Sequence, residues 1–274
     1  MKKIKNSLYM MVLVFFLILI CFPFLWQAIS SFKTQVDLFS IPPTIWPSKR
    51  TPENYVDVFT RQPFLLYIKN SFIIASLSTL LCITAGSMAS YSLSRTQIKG
   101  KKLFLICLLS ITLLPPISIV NPVYRLMQSF NLLNTYTGLI LINATMQLPM
   151  TVWFLQGFFQ NIPASLEESA EMDGASIFQI FYKIILPVVA PGIFTVSILV
   201  FIGAWNQYLF AQILNPLKVR RTITVGIMLY QTDYTIPWGT LTAASIVVTV
   251  PLIVLVLAMQ KRIVSGLLDG GTKE

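Results

Sequence analysis

The chain has 274 residues, 55% of them hydrophobic and only 11% charged. Soluble domains carry about 25% charged residues, so a soluble globular fold is excluded and a membrane protein is indicated. The formal net charge of +10 would suit nucleic acid, but the cations sit in loops between apolar segments and point to no nucleic-acid partner. The complete lack of histidine excludes histidine metal sites and histidine acid–base catalysis.

Six stretches lack Asp, Glu, Lys and Arg: 6–32, 70–94, 103–124, 126–166, 184–217 and 234–260. Each holds at least about 20 mainly apolar residues, enough for a spanning helix. The expected spans are therefore roughly 8–30, 70–94, 103–124, 137–159, 187–210 and 241–260. Lys2, Lys3 and Lys5 precede the first span as they would a signal peptide. Its apolar run continues past Cys21 to Ile29 with no small-x-small cleavage site, so it reads as a retained span. Cys21, Cys82 and Cys107 all fall inside spans. They read as small buried apolar residues, with neither disulfides nor a metal site implied.

Residues 31–69 form the longest outer segment, irregular at Pro42, Pro43, Pro47 and Pro52. Residues 53–68 read as an amphipathic interfacial helix broken near Pro63. In span two, Ser76, Thr79, Ser87, Ser90 and Ser94 recur at helical spacing beside Gly86 and Ala89; small residues let membrane helices approach closely. Arg95, Lys99, Lys101 and Lys102 then crowd one short loop. A short basic loop beside two spans reads as cytoplasmic, which also places both termini and the 161–186 loop inside.

Spans three to five contain Pro115, Pro116, Pro122, Pro149, Pro187 and Pro191. Proline frees backbone groups and bends a helix, which suits helices that rock. Asn143, Thr145 and Gln147 lie in span four, and Asn206 and Gln207 at the outer end of span five. Unpaired amides are costly in apolar surroundings. These groups should face other helices or a watery path, and both readings stay open.

Between spans four and five runs NIPASLEESAEMDGASIFQIFYKIILP, residues 161–187. Glu167, Glu168, Glu171 and Asp173 crowd its first half, Gly174 interrupts it, and a second helical stretch runs from Ser176 into the span at Pro187. A helix that seats in a groove of another protein needs small residues such as Ser169 and Ala170, and a charge such as Glu168 to set its register. A glycine can take the positive φ between two short helices. Ser165 and Glu168 also match a capping box, and Pro163 offers a rival helix start.

This segment resembles the cytoplasmic coupling motif of binding-protein-dependent ABC importers. In that motif, Glu-Ala-Ala, three residues and Gly are followed nine residues later by Ile-x-Leu-Pro. Here Glu168-Ser169-Ala170, Gly174 and Ile184-Ile185-Leu186-Pro187 occupy those places, with Ser169 the one departure. The likeness covers nearly the whole chain and is closest to the smaller membrane subunit of maltose-type sugar importers. Asn70-Ser71, Pro122 to Met127, Leu132 to Thr135, Gly138 to Ile140, Gly157-Phe158-Phe159 and Ala204-Trp205-Asn206 follow the family pattern. Where the family commonly has Glu after that last motif, this chain has Gln207.

The resemblance implies an all-α membrane protein with the type I ABC importer permease fold. It divides the chain into a first helix and outer loop (1–69), a transmembrane core (70–265) with its coupling loop, and a cytoplasmic tail (266–274). Docking to an ATPase subunit would fall on Glu168, Ser169, Ala170, Asp173, Gly174, Ile184, Leu186 and Pro187, with Gly270 and Gly271 of the Gly-rich tail as further contacts. The candidate substrate path comprises Asn143, Gln147, Asn206 and Gln207. The implied partners are an ATPase dimer, a second homologous permease subunit, an extracytoplasmic sugar-binding protein and the lipid bilayer. No Gly-x-x-x-x-Gly-Lys-Ser/Thr loop occurs in the sequence, so ATP-Mg is expected in the partner subunits and no cofactor or catalysis in this chain. The expected function is carriage of a carbohydrate, an oligosaccharide foremost. An ion-coupled carrier, which would usually keep an ionisable residue within a span, and a non-transporting scaffold are the competing classes.

Overall fold

The computed structural model describes residues 2–97, 99–232 and 236–271, with side chains for 9–97, 99–232 and 236–260. The chain divides into two compact units: Met1–Leu66 with Gly226–Pro251, and Tyr67–Val225 with Leu252–Glu274.

In the first unit, α1 (Lys2–Ser30) supplies a span over Tyr9–Ser30. Its side chains from Tyr9 to Leu25 are exposed. A short α2 (Gln35–Leu38) follows, capped by the Thr34 hydroxyl. The Asp37 carboxylate accepts from the Ser48 hydroxyl at 2.6 Å and the Ser48 amide at 3.1 Å, closing the proline-rich loop. Of the helix expected over 53–68, the part before Pro63 forms as α3 (Glu53–Arg61), and the break near Pro63 is present. Asn54 on α3 donates to the Ser31 and Lys33 carbonyls, both at 2.9 Å. A side chain at Gly239 would collide with that amide.

The second unit is built from long helices. α4 (Phe64–Arg95) begins six residues earlier than the expected span because Pro63 ends the preceding segment and Phe64 opens the next. The expected third span is broken. α5 (Lys101–Ser110) passes into a 3-10 turn at Ile111–Leu113, and a second 3-10 turn at Pro116–Ile119 leads into α6 (Val120–Ser129). The two halves meet at 91°. Pro115 and Pro116 lack amide donors and forbid a continuous ladder, which a charge gap alone could not reveal. α7 (Tyr136–Gln160) is the fourth span. Two short helices, α8 (Ser165–Met172) and α9 (Ile177–Gln179), precede a π-helical turn at Ile180–Ile185 that feeds α10 (Leu186–Trp205). The fifth span thus runs from Ile177 to Trp205, beginning earlier and ending earlier than the expected 187–210. α11 (Leu209–Leu214) and α12 (Ile223–Met228) follow. α13 (Trp238–Gly271), which belongs to the first unit as far as Pro251, carries the last span over Trp238–Gln260.

Among the described residues, five helices are long and apolar enough to cross a membrane, and the bent pair makes up to six. The small-residue stripe is a packing surface. Ser90 Oγ donates to the Gly86 carbonyl at 2.6 Å and the Val152 carbonyl at 3.0 Å. A Cβ at Gly86 would stand 2.6 Å from the Thr151 methyl. Only Cys82 of the three cysteines is buried; Cys21 and Cys107 are exposed on their helices, where a span can face lipid.

The Leu132 to Thr135 motif acquires a physical reason. Asn134 takes φ +57°. The Thr135 hydroxyl caps α7 by accepting from the Gly138 amide at 3.0 Å. A side chain at Gly138 would strike the Leu132 carbonyl. Asn70 is fully buried inside α4. Its amide donates to the Val219 and Arg221 carbonyls at 3.0 and 2.8 Å and accepts from the Tyr136 hydroxyl at 2.7 Å.

Candidate functional site

The 161–187 loop is a clamp of two short helices. No capping box forms at Ser165: the N-cap of α8 is Ala164, without a side-chain hydrogen bond. Ser165 already lies in the helix, its carbonyl accepting from the Ser169 hydroxyl at 2.8 Å. Pro163 does not open the helix either; it precedes the cap. Glu168 is therefore free of any capping duty. It is exposed and makes no ion pair among the described residues.

Gly174 closes α8 at φ +80°. The Gly174 amide donates to the Glu171 carbonyl at 2.9 Å and the Ala175 amide to the Ala170 carbonyl at 3.0 Å. These two bonds are the Schellman pair that satisfies orphan carbonyls at a helix end. Ala170 lies in a buried apolar cluster, and Ala175 packs against that cluster. A Cβ at Gly174 would meet nothing within 4 Å. The requirement for glycine is thus one of backbone conformation and not of space.

The next helix starts with a capping box that sequence reading overlooked. The Ser176 amide donates to Gln179 Oε1 at 2.9 Å, and the Gln179 amide donates to Ser176 Oγ at 3.4 Å. The Ser-x-x-Gln spacing was its signal. The π turn then sits directly before Leu186-Pro187. Pro187 has no N–H to offer the carbonyl four residues earlier, and the helix widens in that turn.

The motif residues divide by direction. Glu168, Ser169 and Asp173 are exposed, as are Met172, Ile177 and Phe178 beside them, Met172 at 88%. Ala170 points inward at 6% exposure. Ile184 and Leu186 pack against the cluster that contains Ala170, Phe159, Ile180 and Phe181, and Pro187 is exposed at the head of α10. Gly192 on α10 admits the Phe158 ring, which would lie 2.5 Å from any Cβ there.

Glu167 faces the other way from Glu168. Its Oε1 lies 2.6 Å from Arg95 Nε, and its Oε2 accepts from the Tyr91 hydroxyl at 3.1 Å. Arg95 also donates to the Ile162 carbonyl at 3.2 Å. Tyr91 in turn meets Phe159 edge-to-face and Phe181 at a tilt, with ring centroids 5.8 and 5.0 Å away. The end of α4 is thereby tied to α8 and to the π turn.

The amide residues do not form one cluster. Gln147 lines a groove of about 270 Å³ with Thr112, Met146, Met150, Thr151 and Phe154. Its amide lies against Gly203, where any Cβ would collide with Oε1. Asn143 is buried at 2% exposure and does not line this groove; its Nδ2 has no hydrogen-bond partner among the described residues. Asn206 is the exposed C-cap of α10, and the Gln207 carbonyl accepts from the Thr224 hydroxyl at 2.9 Å. Gly270 and Gly271 end α13 in helical conformation, and residues 272–274 of the expected tail lie outside the described residues.

Residues 2–268 match the family model described as "Binding-protein-dependent transport system inner membrane component". Among curated relatives, the sulfoquinovosyl glycerol transport system permease protein SmoH of Agrobacterium fabrum is 38% identical over 92% of this chain and 88% of that protein. The trehalose/maltose transport system permease protein MalG of Thermococcus litoralis is 37% identical over 99% and 98%. The trehalose transport system permease protein SugB of Mycobacterium tuberculosis is 40% identical over 83% and 84%. A chain in the crystal structure of a bacterial ABC transporter involved in the import of the acidic polysaccharide alginate superposes with a TM-score of 0.79 at 20% identity, covering 94% of this chain and 96% of that one.

Proposed function

We propose, from the premise that this chain belongs to the family of binding-protein-dependent transport system inner membrane components, that its coupling loop carries the force of ATP hydrolysis from partner subunits into the membrane. The chain is a multi-pass permease subunit of a sugar ABC importer, with the type I permease fold. Its relatives' names join sulfoquinovosyl glycerol, trehalose, maltose and diacetylchitobiose. These are small glycosides, rich in hydroxyls and free of large apolar parts. An oligosaccharide or glycoside of that size is the cargo this reading assigns. Gln147, in its groove beside Thr112 and Thr151, is the side chain best placed to exchange hydrogen bonds with it.

The assembly comprises this chain, a second homologous permease subunit, an ATPase dimer that binds ATP-Mg, and an extracytoplasmic sugar-binding protein. Catalysis belongs to the ATPase subunits. Both termini and the 161–187 loop face the cytoplasm. The observation that carries the reading is α8 itself: a helix held from behind by Arg95–Glu167 and the Gly174 turn, presenting an unpaired Glu168 among exposed Met172, Ile177 and Phe178. An apolar patch beside three exposed carboxylates, Glu168, Glu171 and Asp173, suits a groove with basic residues on another protein.

Co-expression with the ATPase and second permease, followed by affinity capture through this chain, tests it. Wild type should retain the ATPase and support sugar-stimulated hydrolysis in proteoliposomes. With Glu168→Ala, the second permease should stay bound while ATPase retention and stimulation fall. Normal retention and uptake in the Glu168→Ala, Gly174→Val double variant would sink the reading.

A further inference from the structure

The first unit contains a groove that the transport reading does not use. It occupies about 610 Å³ at the C-terminal end of α1, lined by Leu25, Ala28, Ile29, Phe32, Trp46, Pro47 and Arg50. Leu25, Ala28 and Ile29 are spaced i, i+3, i+4 and share one helix face. At about 1.5 Å per residue, the lining covers the last two turns of the span, the depth at which a bilayer changes from hydrocarbon to headgroup. Trp46, 67% exposed, stands beside it, and tryptophan is enriched at that level of a membrane.

The cations around this end of the helix have unequal commitments. Lys33 is buried, its ammonium 4.3 Å over the Trp26 ring and donating to the Thr44 carbonyl. Arg50 lines the groove, is exposed, and forms no ion pair among the described residues. Of the nearby carboxylates, Asp37 is held by Ser48 and Asp57 pairs with Arg61 at 2.6 Å, while exposed Glu53 forms no ion pair with Arg50. Apolar walls running along the span with one free guanidinium at their water end match a single chemistry, an acyl chain below and an anionic phosphate above. A guanidinium binds phosphate in bidentate fashion.

We propose that this groove is a binding site for an anionic phospholipid, its acyl chain along Leu25, Ala28 and Ile29 and its phosphate on Arg50. The inference is independent of the coupling-loop reading. Its test is native mass spectrometry of the assembled importer after reconstitution in an equimolar mixture of phosphatidylglycerol and phosphatidylcholine. Wild type should retain phosphatidylglycerol in preference. Arg50→Gln should lower that preference about fivefold, the worth of one cation near an anionic lipid surface, whereas Arg50→Lys should keep most of it. Ala28→Phe, which fills the groove, should reduce retention of both lipids. Equal preference in wild type and Arg50→Gln overturns the proposal. So does displacement of the lipid by inorganic phosphate, which would mean an anion site without a chain groove. A disulfide between a cysteine placed at Trp46 and the second permease, with no lipid retained, would assign the groove to that subunit and overturn it as well.

Discussion

Arg95 Nε lies 2.6 Å from Glu167 Oε1, and this one contact joins the end of α4 to the helix that presents Glu168. The two side chains are 23% and 14% exposed, so the pair is screened less than a surface ion pair. Neighbouring glutamates thus divide two tasks. Glu167 fixes the helix from within, and Glu168 is left for a partner.

Breaking the inner pair should uncouple without dismantling. Arg95→Ala leaves Glu167 half-buried and unpaired, and Glu167→Gln keeps the bond to Tyr91 while losing the charge. A double-mutant cycle on sugar-stimulated ATP hydrolysis should show a coupling of about 1 kcal/mol, within the range for residues in direct contact. Strict additivity of the two losses would remove the clamp from the account.

Glu168 gives a cleaner test than the sequence alone allowed. Since Ser165 forms no capping box with it, Glu168→Gln should leave α8 intact yet lose the interfacial charge. Truncation of a buried, hydrogen-bonded interfacial pair costs about 2–5 kcal/mol. ATPase retention should therefore fall for Gln nearly as far as for Ala. A wild-type level of retention with Gln would return Glu168 to a local role.

At Gly174 the penalty is conformational. No neighbour would touch a Cβ there, so Gly174→Ala should cost about 1–2 kcal/mol of left-handed backbone strain. Gly174→Asn should recover much of it, because Asn tolerates that region. Uptake assays on the two variants should separate them in that order. Equal loss in both would show that contact with another subunit, rather than φ, demands glycine.

Much of this was legible in the sequence, for identifiable reasons. Charge gaps located α1, α4, α7, α10 and α13 because a bilayer excludes charge over a fixed length. The Gly174 turn and the restart after Ser176 followed from spacing. What escaped depended on partners distant in sequence or on geometry that composition does not encode. Pro115-Pro116 signalled a bend but gave no angle, and the halves turn by 91°. Arg95 read as a topological signal, and nothing in its surroundings named Glu167, 72 residues away, as its partner. The amides at 143, 147, 206 and 207 looked alike on paper. Burial then separated them, leaving Gln147 alone of the four on the groove.

The outer loop carries a pH dependence of definite sign. The Ser48 hydroxyl, and its amide with it, hold the Asp37 carboxyl below its ordinary 3.8, against the opposing effect of burial. A carboxylate depressed in the folded state stabilises the fold above its unfolded value. That contribution should decline as pH drops below 3.8 and vanish once the folded group is protonated. Limited proteolysis of 34–50 should accelerate on acidification through that range, and Ser48→Ala, which returns the folded group toward its ordinary value, should shrink that acid-dependent change. Asp37→Asn should show no such onset.

Gly203 decides what Gln147 can reach. Any side chain at 203 would occupy the space of the Gln147 amide oxygen, and α10 packs there against α7, so the amide must swing or the helices must part. Gly203→Ala should therefore disturb transport through Gln147, and its effect should vanish when Gln147 is already Ala. The pair lies far along α7 and α10 from the 161–174 clamp, so ATPase retention should be normal in all three variants. Single-site additivity is expected for independent positions. The predicted result is the opposite, with sugar uptake in Gly203→Ala, Gln147→Ala no worse than in Gln147→Ala alone. Uptake that falls further in the double variant would mean that Gly203 serves helix packing, and that Gln147 keeps its reach without it.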